Sequence, residues 1–304
     1  MISVPAMNSN LRNCFEMKKL SLLTFFLAAV AFTDLAHSQE LPFTGGESLE
    51  YVITYKALFT ADMVRVSLDL TSEKDPQRGD AFHAVTKITT FKFWDSFYKM
   101  RDTYETWFRS DASISPIRFH RDAHEGKSYN SESWLDWSED LSQAKVKIEK
   151  DGKPVKDTVF SEEGVLRDII NALYLARILD YDQMQSSGKP FEVTMTPYRD
   201  ILKLRVRFVG KEEVSAGKAG KFKALKLALA ITPKDTDNSG SGFKIGASEN
   251  GTYENGEKIF LWVSDDQNHI PVYFSAPASI GSIKGKLSQY KGLKYELSSK
   301  IANE

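Results

Sequence analysis

Apolar and polar side chains alternate one for one along much of the chain. Leu49, Tyr51, Ile53 and Tyr55 alternate with Glu50, Thr54 and Lys56. Val64, Val66, Leu68 and Leu70 alternate with Arg65, Ser67 and Asp69. The same period recurs in Leu202, Leu204, Val206 and Phe208, in Leu225, Leu227, Leu229 and Ile231, and in Leu293, Tyr295 and Leu297. A period of two predicts strands with one wet and one buried face, the habit of antiparallel sheets. Turn-forming clusters separate the runs, at Pro76-Gln77-Arg78-Gly79-Asp80, Asp151-Gly152 and Ala216-Gly217-Lys218-Ala219-Gly220.

One stretch changes period. From Ser161 to Tyr181, Val165, Leu166, Ile169, Ile170, Leu173 and Tyr174 fall at helical spacing, Ser161 can cap, and Glu162 and Glu163 suit a first turn. This predicts one amphipathic helix over about 162–180, about five turns long. A sheet with one wet face needs cover on the other, so the helix is expected on its concave side. The fold class expected is mainly β (α+β): a strongly curved antiparallel sheet or half-barrel with that helix inside it. A closed lipocalin-like barrel is the alternative. No long linker or shift in composition divides 39–304, which reads as a single β-rich domain. Residues 233–242 and 246–256 are rich in Asp, Asn, Ser and Gly and read as long mobile loops able to form a flap.

The first 38 residues read as an address. Met17-Lys18-Lys19 gives a positive start, Leu20 to Phe32 is apolar apart from Ser21 and Thr24, and Ala36-His37-Ser38 ends in small residues. That order predicts a signal peptide cut after Ser38, with Met17 as the true start and Met1 to Glu16 as upstream extension. The apolar run is too short for a permanent transmembrane anchor. Cys14, the only cysteine, lies in the extension, so neither a disulfide nor a lipid-modified cysteine is expected in the mature chain. The expected location is the periplasm.

Composition adds exclusions. The 304 residues are 41% hydrophobic and 27% charged, with a formal net charge of -1. Losing residues 1–38 removes Arg12, Lys18 and Lys19 against Glu16 and Asp34, which moves the charge to -2. No basic excess points to nucleic acid.

Candidate chemistry is sparse. His120, Asp122, His124 and Glu125 resemble metal ligands in type, but they sit in a strand-and-turn pattern rather than on one helix face, so no metal is expected. Asp168, Tyr174 and Arg177 place polar groups on the helix, where they either contact a ligand or anchor the helix by a buried ion pair. Asp265 and Asp266 have the residue types of paired carboxylates, but Ser264-Asp265-Asp266-Gln267-Asn268 reads as a turn between two strands. Phe91, Phe93, Trp94, Phe97, Tyr98, Tyr104, Trp107 and Phe108 crowd one stretch and either line a hydrophobic cavity or fill the core. No cofactor motif stands out.

Three groups of residues are more specific together than apart. Gly46-Glu47-Ser48-Leu49-Glu50-Tyr51 opens the mature region, and Asp168 with Ala172-Leu173-Tyr174-Leu175-Ala176-Arg177 lies on the helix. Trp262-Val263-Ser264-Asp265-Asp266, Ile270-Pro271-Val272 and Gly281-Ser282-Ile283-Lys284-Gly285 follow. With the leader, they resemble an uncharacterised family of exported bacterial proteins, domain of unknown function number three-one-zero-eight. The resemblance implies a Gram-negative envelope protein with a mostly antiparallel β fold, and no reaction. The strand pattern also looks like the curved half-barrels of periplasmic lipoprotein carriers, an architectural likeness only.

The function expected is therefore a non-enzymatic envelope binding or carrier module. Its partner would be a lipid or other apolar or amphiphilic molecule, held by Phe93, Trp94, Trp107, Tyr174, Asp168 and Arg177. The alternatives are an envelope-acting hydrolase using Asp168, Arg177, Asp265 and Asp266, or a purely structural interaction protein. N-terminal sequencing of the exported protein is expected to begin at Gln39; a first residue within 1–38 would refute the cleavage site.

Overall fold

The computed structural model describes residues 40–56, 60–233, 259–278 and 280–302. The expected signal peptide, the start at Met17, Cys14 and nearly all of the expected flap lie outside the described residues. No helix among the described residues is long and apolar enough to cross a membrane.

The alternating runs become strands. These are β1 (Ser48–Lys56), β2 (Thr60–Asp75), β3 (Gly79–Thr90), β4 (Arg101–Arg109), β5 (Pro116–Glu125) and β6 (Tyr129–Trp137). β7 (Gln143–Lys150), β8 (Lys153–Ser161) and the two-residue β9 (Arg167–Asp168) follow. After two helices come β10 (Phe191–Thr196), β11 (Leu202–Ser215), β12 (Lys221–Pro233), β13 (Ile259–Ser264), β14 (Pro271–Pro277), β15 (Ser282–Lys291) and β16 (Lys300–Ile301). All belong to one sheet. Its order runs from β8 down to β1, then through β15 to β10, with β9 parallel to β10 and β16 beside β12.

The two free edges of this sheet are neighbours in the chain. β8 is one edge and β9 the other, and only residues 162–166 connect them. The sheet has curled until its edges adjoin. Side chains cross the seam: Trp137 Nε1 donates to the Leu166 carbonyl at 2.8 Å, and Lys156 Nζ to the Arg199 carbonyl at 2.9 Å. No ladder joins β8 to β9 or β10 among the described residues. The closed lipocalin-like barrel is thus not formed. Closure needs register along a whole edge, and β9 offers two residues before the chain turns into a helix.

The helical region is shorter than its apolar spacing predicts. α1 spans Ile169–Ala176 and α2 spans Tyr181–Ser187. Ser161 does not cap; it pairs with Gln143 in the β7–β8 ladder, and Gly164 at φ 89° breaks the chain direction. Asp168 caps α1 instead, accepting from Ile170 N at 2.9 Å and Asn171 N at 2.8 Å. Asp180 caps α2, which ends at Gly188 in the left-handed region. Sheet pairing and two better caps divide what the periodicity reads as one helix.

α1 lies on the concave face. Tyr174 packs edge-on against Phe43 with centroids 4.8 Å apart and tilts against Phe108 of β4 at 5.1 Å. The same core takes Leu49, Leu68, Leu70, Phe82, Phe222 and Leu287 from strands around the curve. Arg177, at the end of α1, is 1% exposed and pairs with the equally buried Glu47, just before β1. One of their two contacts, Nη2 to Oε2, measures 2.8 Å. Arg177 Nε also donates to the Asn268 carbonyl at 3.1 Å.

One expected strand is absent. Leu293, Tyr295 and Leu297 do not form a ladder; Gly292, at φ 65°, turns the chain, and a Cβ there would meet the Gly46 carbonyl oxygen at 2.1 Å. Leu293 and Leu297 still pack on the core, and Tyr295 N donates to the Asn268 side chain. Their alternation reports burial without pairing.

Glu47→Gln is expected to lose about 3 kcal/mol or more of unfolding free energy in urea, because it strands a buried guanidinium. Glu47→Leu with Arg177→Met is expected to recover most of that loss. Equal stability of the single variant and wild type would remove the pair's anchoring role.

Candidate functional site

The six residues expected at a ligand site fall in three places. Asp168, Tyr174 and Arg177 surround α1. Asp168 is buried, and its Oδ2 accepts from Thr106 Oγ1 of β4 at 2.7 Å. Burial, outweighing those hydrogen bonds, pushes its carboxyl up to about 6. The adjacent Arg167 donates to the Ile114 carbonyl at 2.9 Å and to Asn171 at 2.6 Å. These groups bolt α1 to both arms of the sheet.

Trp107 lies on the outer face of β4. It stacks on His83 at 4.1 Å, carries Arg118 over its ring at 4.8 Å, and donates from Nε1 to Glu73 at 3.2 Å. Phe93 and Trp94 sit in the loop between β3 and β4, with Phe93 exposed. Trp107 and these two therefore line no common cavity with α1.

The other candidates have structural partners. His120 is on β5 as the strand-and-turn pattern predicts, stacked on Trp134 at 5.4 Å, with Nδ1 3.1 Å from Glu105. The His124 backbone N donates to Asp102 at 3.0 Å, and its ring contacts Asn130 through Nδ1 and Asp122 through Nε2. Asp266 holds the β13–β14 turn, accepting from Ser264 Oγ at 3.0 Å and Asn268 N at 2.9 Å, while Asp265 pairs with Lys211 at 3.1 Å.

An apolar groove opens between α1 and the arm formed by β10 to β13. Ile169 and Leu173 of α1 face Met195, Leu204, Leu229 and Leu261 across about 180 Å³. Every lining side chain is a hydrocarbon or thioether, and several, including Leu173, Leu204 and Leu229, are only half-buried. Alternation produces this wall directly, since the inward residues of β11 and β12 are the apolar runs read in the sequence.

A polar row crosses the same face on the opposite arm. Thr86, Tyr104, Arg121 and Ser133 are successive cross-strand partners on β3 to β6. Arg121 is 3% exposed, donates from Nε to the Tyr104 hydroxyl at 3.1 Å and from Nη2 to Glu125 at 2.9 Å. Its guanidinium lies between the rings of Tyr104 (5.5 Å) and Tyr198 (4.5 Å). Four buried atoms of this region have no protein partner: Thr86 Oγ1, Asp102 Oδ2, Arg121 Nη1 and Ser133 Oγ. Burial, and secondarily Glu125, raises the Asp102 carboxyl above its ordinary range. Tyr198, three residues past Met195 of the groove, holds φ at 149°, a strained value for a residue with a Cβ.

A curved, open antiparallel sheet around a short internal helix, with a carbon-lined groove and a buried polar row, defines the architecture. The chain belongs to the family described as Protein of unknown function (DUF3108), which matches residues 50–288. No curated protein matches it. Among solved structures it is similar to a beta-barrel-like protein of the domain of unknown function DUF1849 from Brucella abortus. That pair shares 9% identity and a TM-score of 0.49, over 83% of this chain and 100% of the other. It is also similar to a candidate lipoprotein from Parabacteroides distasonis, at 10% identity and a TM-score of 0.33, over 83% and 97% of the two chains.

Sequence reasoning missed Glu47 and Arg121, yet the signal was present. Glu47 shares the inward phase of Leu49 and Tyr51, and Arg121 that of Ile117, Phe119 and Ala123. A charge in the apolar phase of a strand needs a buried partner or a ligand.

The pH dependence of Asp168 has a definite sign. Its folded pKa, about 6, lies above the ordinary 3.8, so the folded state holds this proton more tightly. The stabilisation is complete below about pH 4 and is lost as pH rises through about 6. Urea unfolding of wild type against Asp168→Asn from pH 3.5 to 7 is expected to isolate that loss, about 3 kcal/mol at most. A difference that does not change with pH would refute it.

Proposed function

We propose that this protein is a non-enzymatic binding or carrier module of the bacterial envelope, holding an apolar or amphiphilic ligand beneath α1. The leader expected from the sequence and the family resemblance support a periplasmic location. The carbon-lined groove carries the reading: hydrocarbon left half-buried among the described residues favours an apolar occupant. At about 180 Å³ the groove is smaller than the ~300–1,000 Å³ of ordinary small-molecule pockets, which suits a stretch of one alkyl chain.

The polar row supplies the other half of an amphiphile's chemistry. Tyr198 connects the two regions, since it follows the groove along the chain and covers Arg121. A tail against Leu173 and Leu204 and a polar head near Arg121 use both surfaces. Asp168 and Arg177 hold the helix, Asp266 holds a turn and Asp265 pairs with Lys211, which favours the binding reading over the hydrolase.

Native mass spectrometry of protein isolated from a bacterial periplasm is expected to show a bound apolar molecule. Titration with N-phenyl-1-naphthylamine is expected to show saturable binding, with Leu173→Trp and Leu204→Trp each weakening it about tenfold by filling the groove. Trp107→Ala is expected to leave binding unchanged, because Trp107 faces outward. Equal binding by wild type and both groove-filling variants would defeat the proposal.

A further inference from the structure

The most exposed large apolar side chains gather at one end of the sheet. Phe97 is 73% exposed, Ile280 71% and Phe93 69%, with Tyr98 at 51%. Phe93, Phe97 and Tyr98 lie in the β3–β4 loop, and Ile280 in the β14–β15 turn. The register brings these loops together: Ser282 pairs with Lys56, Lys56 with Thr60, and Val64 with Thr90. Tyr55 Oη donates to the Ile280 carbonyl at 2.6 Å, and Phe91 N to the Met63 carbonyl at 2.9 Å.

The loop is built to hold its rings outward. Asp95 accepts from Thr90 Oγ1 at 2.6 Å and takes both Arg101 nitrogens, Nη1 at 3.1 Å and Nη2 at 2.6 Å. Trp94 Nε1 donates to the Asp62 carbonyl at 2.8 Å, and Tyr98 Oη to Glu125 at 2.7 Å. With its polar groups tied down, the loop leaves three rings in mutual contact at the surface. Phe93–Trp94, Phe93–Phe97 and Trp94–Phe97 centroids are 5.1, 5.8 and 5.9 Å apart. A folded chain gains little by holding two phenylalanines in water, so such a patch marks a contact surface.

Charge selects the partner. Lys92 and Lys99 bracket the rings and are exposed, as are Lys56 and Lys127 at the same end. Of the acidic residues at this end, Asp95 is committed to Arg101, Glu125 to Arg121 and Tyr98, and Asp62 accepts from Thr54 Oγ1. Aromatic rings flanked by lysines match a lipid–water interface, where rings sit at head-group depth and ammonium groups meet phosphates. We propose that this end of the sheet docks on the surface of an anionic bilayer, with Phe93 and Phe97 entering the head-group layer. The inference does not depend on what fills the groove under α1.

Flotation of the purified full chain with vesicles tests it. One vesicle set is phosphatidylethanolamine with phosphatidylglycerol, the other phosphatidylcholine. Wild type is expected to float with the anionic vesicles and far less with the neutral ones. Phe93→Ser with Phe97→Ser is expected to cut binding at least about tenfold, since each ring removed forfeits its burial. Lys92→Glu with Lys99→Glu is expected to weaken it most at low salt. All variants share one N-terminus, so any leader contributes equally, and unchanged thermal melts exclude misfolding. Absence of flotation, or equal flotation of the double phenylalanine variant, overturns the proposal. So does a dimer, seen by sedimentation without vesicle binding, that the phenylalanine variant dissociates; the face then pairs two copies.

Discussion

Arg177 and Glu47 impose the constraint on which the rest of the arrangement depends. A guanidinium and a carboxylate, both almost wholly buried, cannot tolerate separation. One stands at the end of α1 and the other at the entry to β1, so their pairing fixes the helix against the point from which both arms of the sheet diverge. Phe43 sits beneath this pair, 5.0 Å from the guanidinium carbon, and passes the position on to Tyr174 and Phe108. Asp168 and Arg167 do the same work at the other end of α1, toward β4 and the loop carrying Ile114. An eight-residue helix too short to be stable alone is thereby held at both ends.

That fixation decides where the sheet is full and where it is hollow. Near Glu47 the concave face is packed with aromatic rings and leucines. Farther along the same inward rows, Ile53, Val64, Val66 and Ile88 are only half-buried. On the other arm the inward leucines of β11 and β12 face α1 across open space. Among the described residues the groove thus lies where one short helix does not cover both arms of a wide sheet.

Strands were legible in the sequence because the sheet has one wet face, so the alternation of Leu49 to Tyr55 or Leu202 to Phe208 reports pairing directly. The helix was less so: residues 161–168 carry helical spacing, but β-pairing at Ser161 and the Asp168 cap override it. Leu293, Tyr295 and Leu297 show the converse, an alternation generated by contact with the core alone. At the candidate site, Arg177's ion pair was readable as a type, while its partner lies 130 residues earlier. The groove needed the curvature of the sheet, which no local pattern encodes. Trp107 looked like a pocket residue because composition does not distinguish the two faces of β4.

The seam between β8 and β9 gives this sheet a mechanical freedom that a sealed barrel lacks. In a sealed barrel, a change of girth must break or shift a row of backbone hydrogen bonds. Here the girth is set by side-chain contacts such as Trp137 to the Leu166 carbonyl and Lys156 to the Arg199 carbonyl. Along that one line, widening the cross-section would stretch side-chain contacts and the 162–166 connector, whereas elsewhere it would have to shift a ladder.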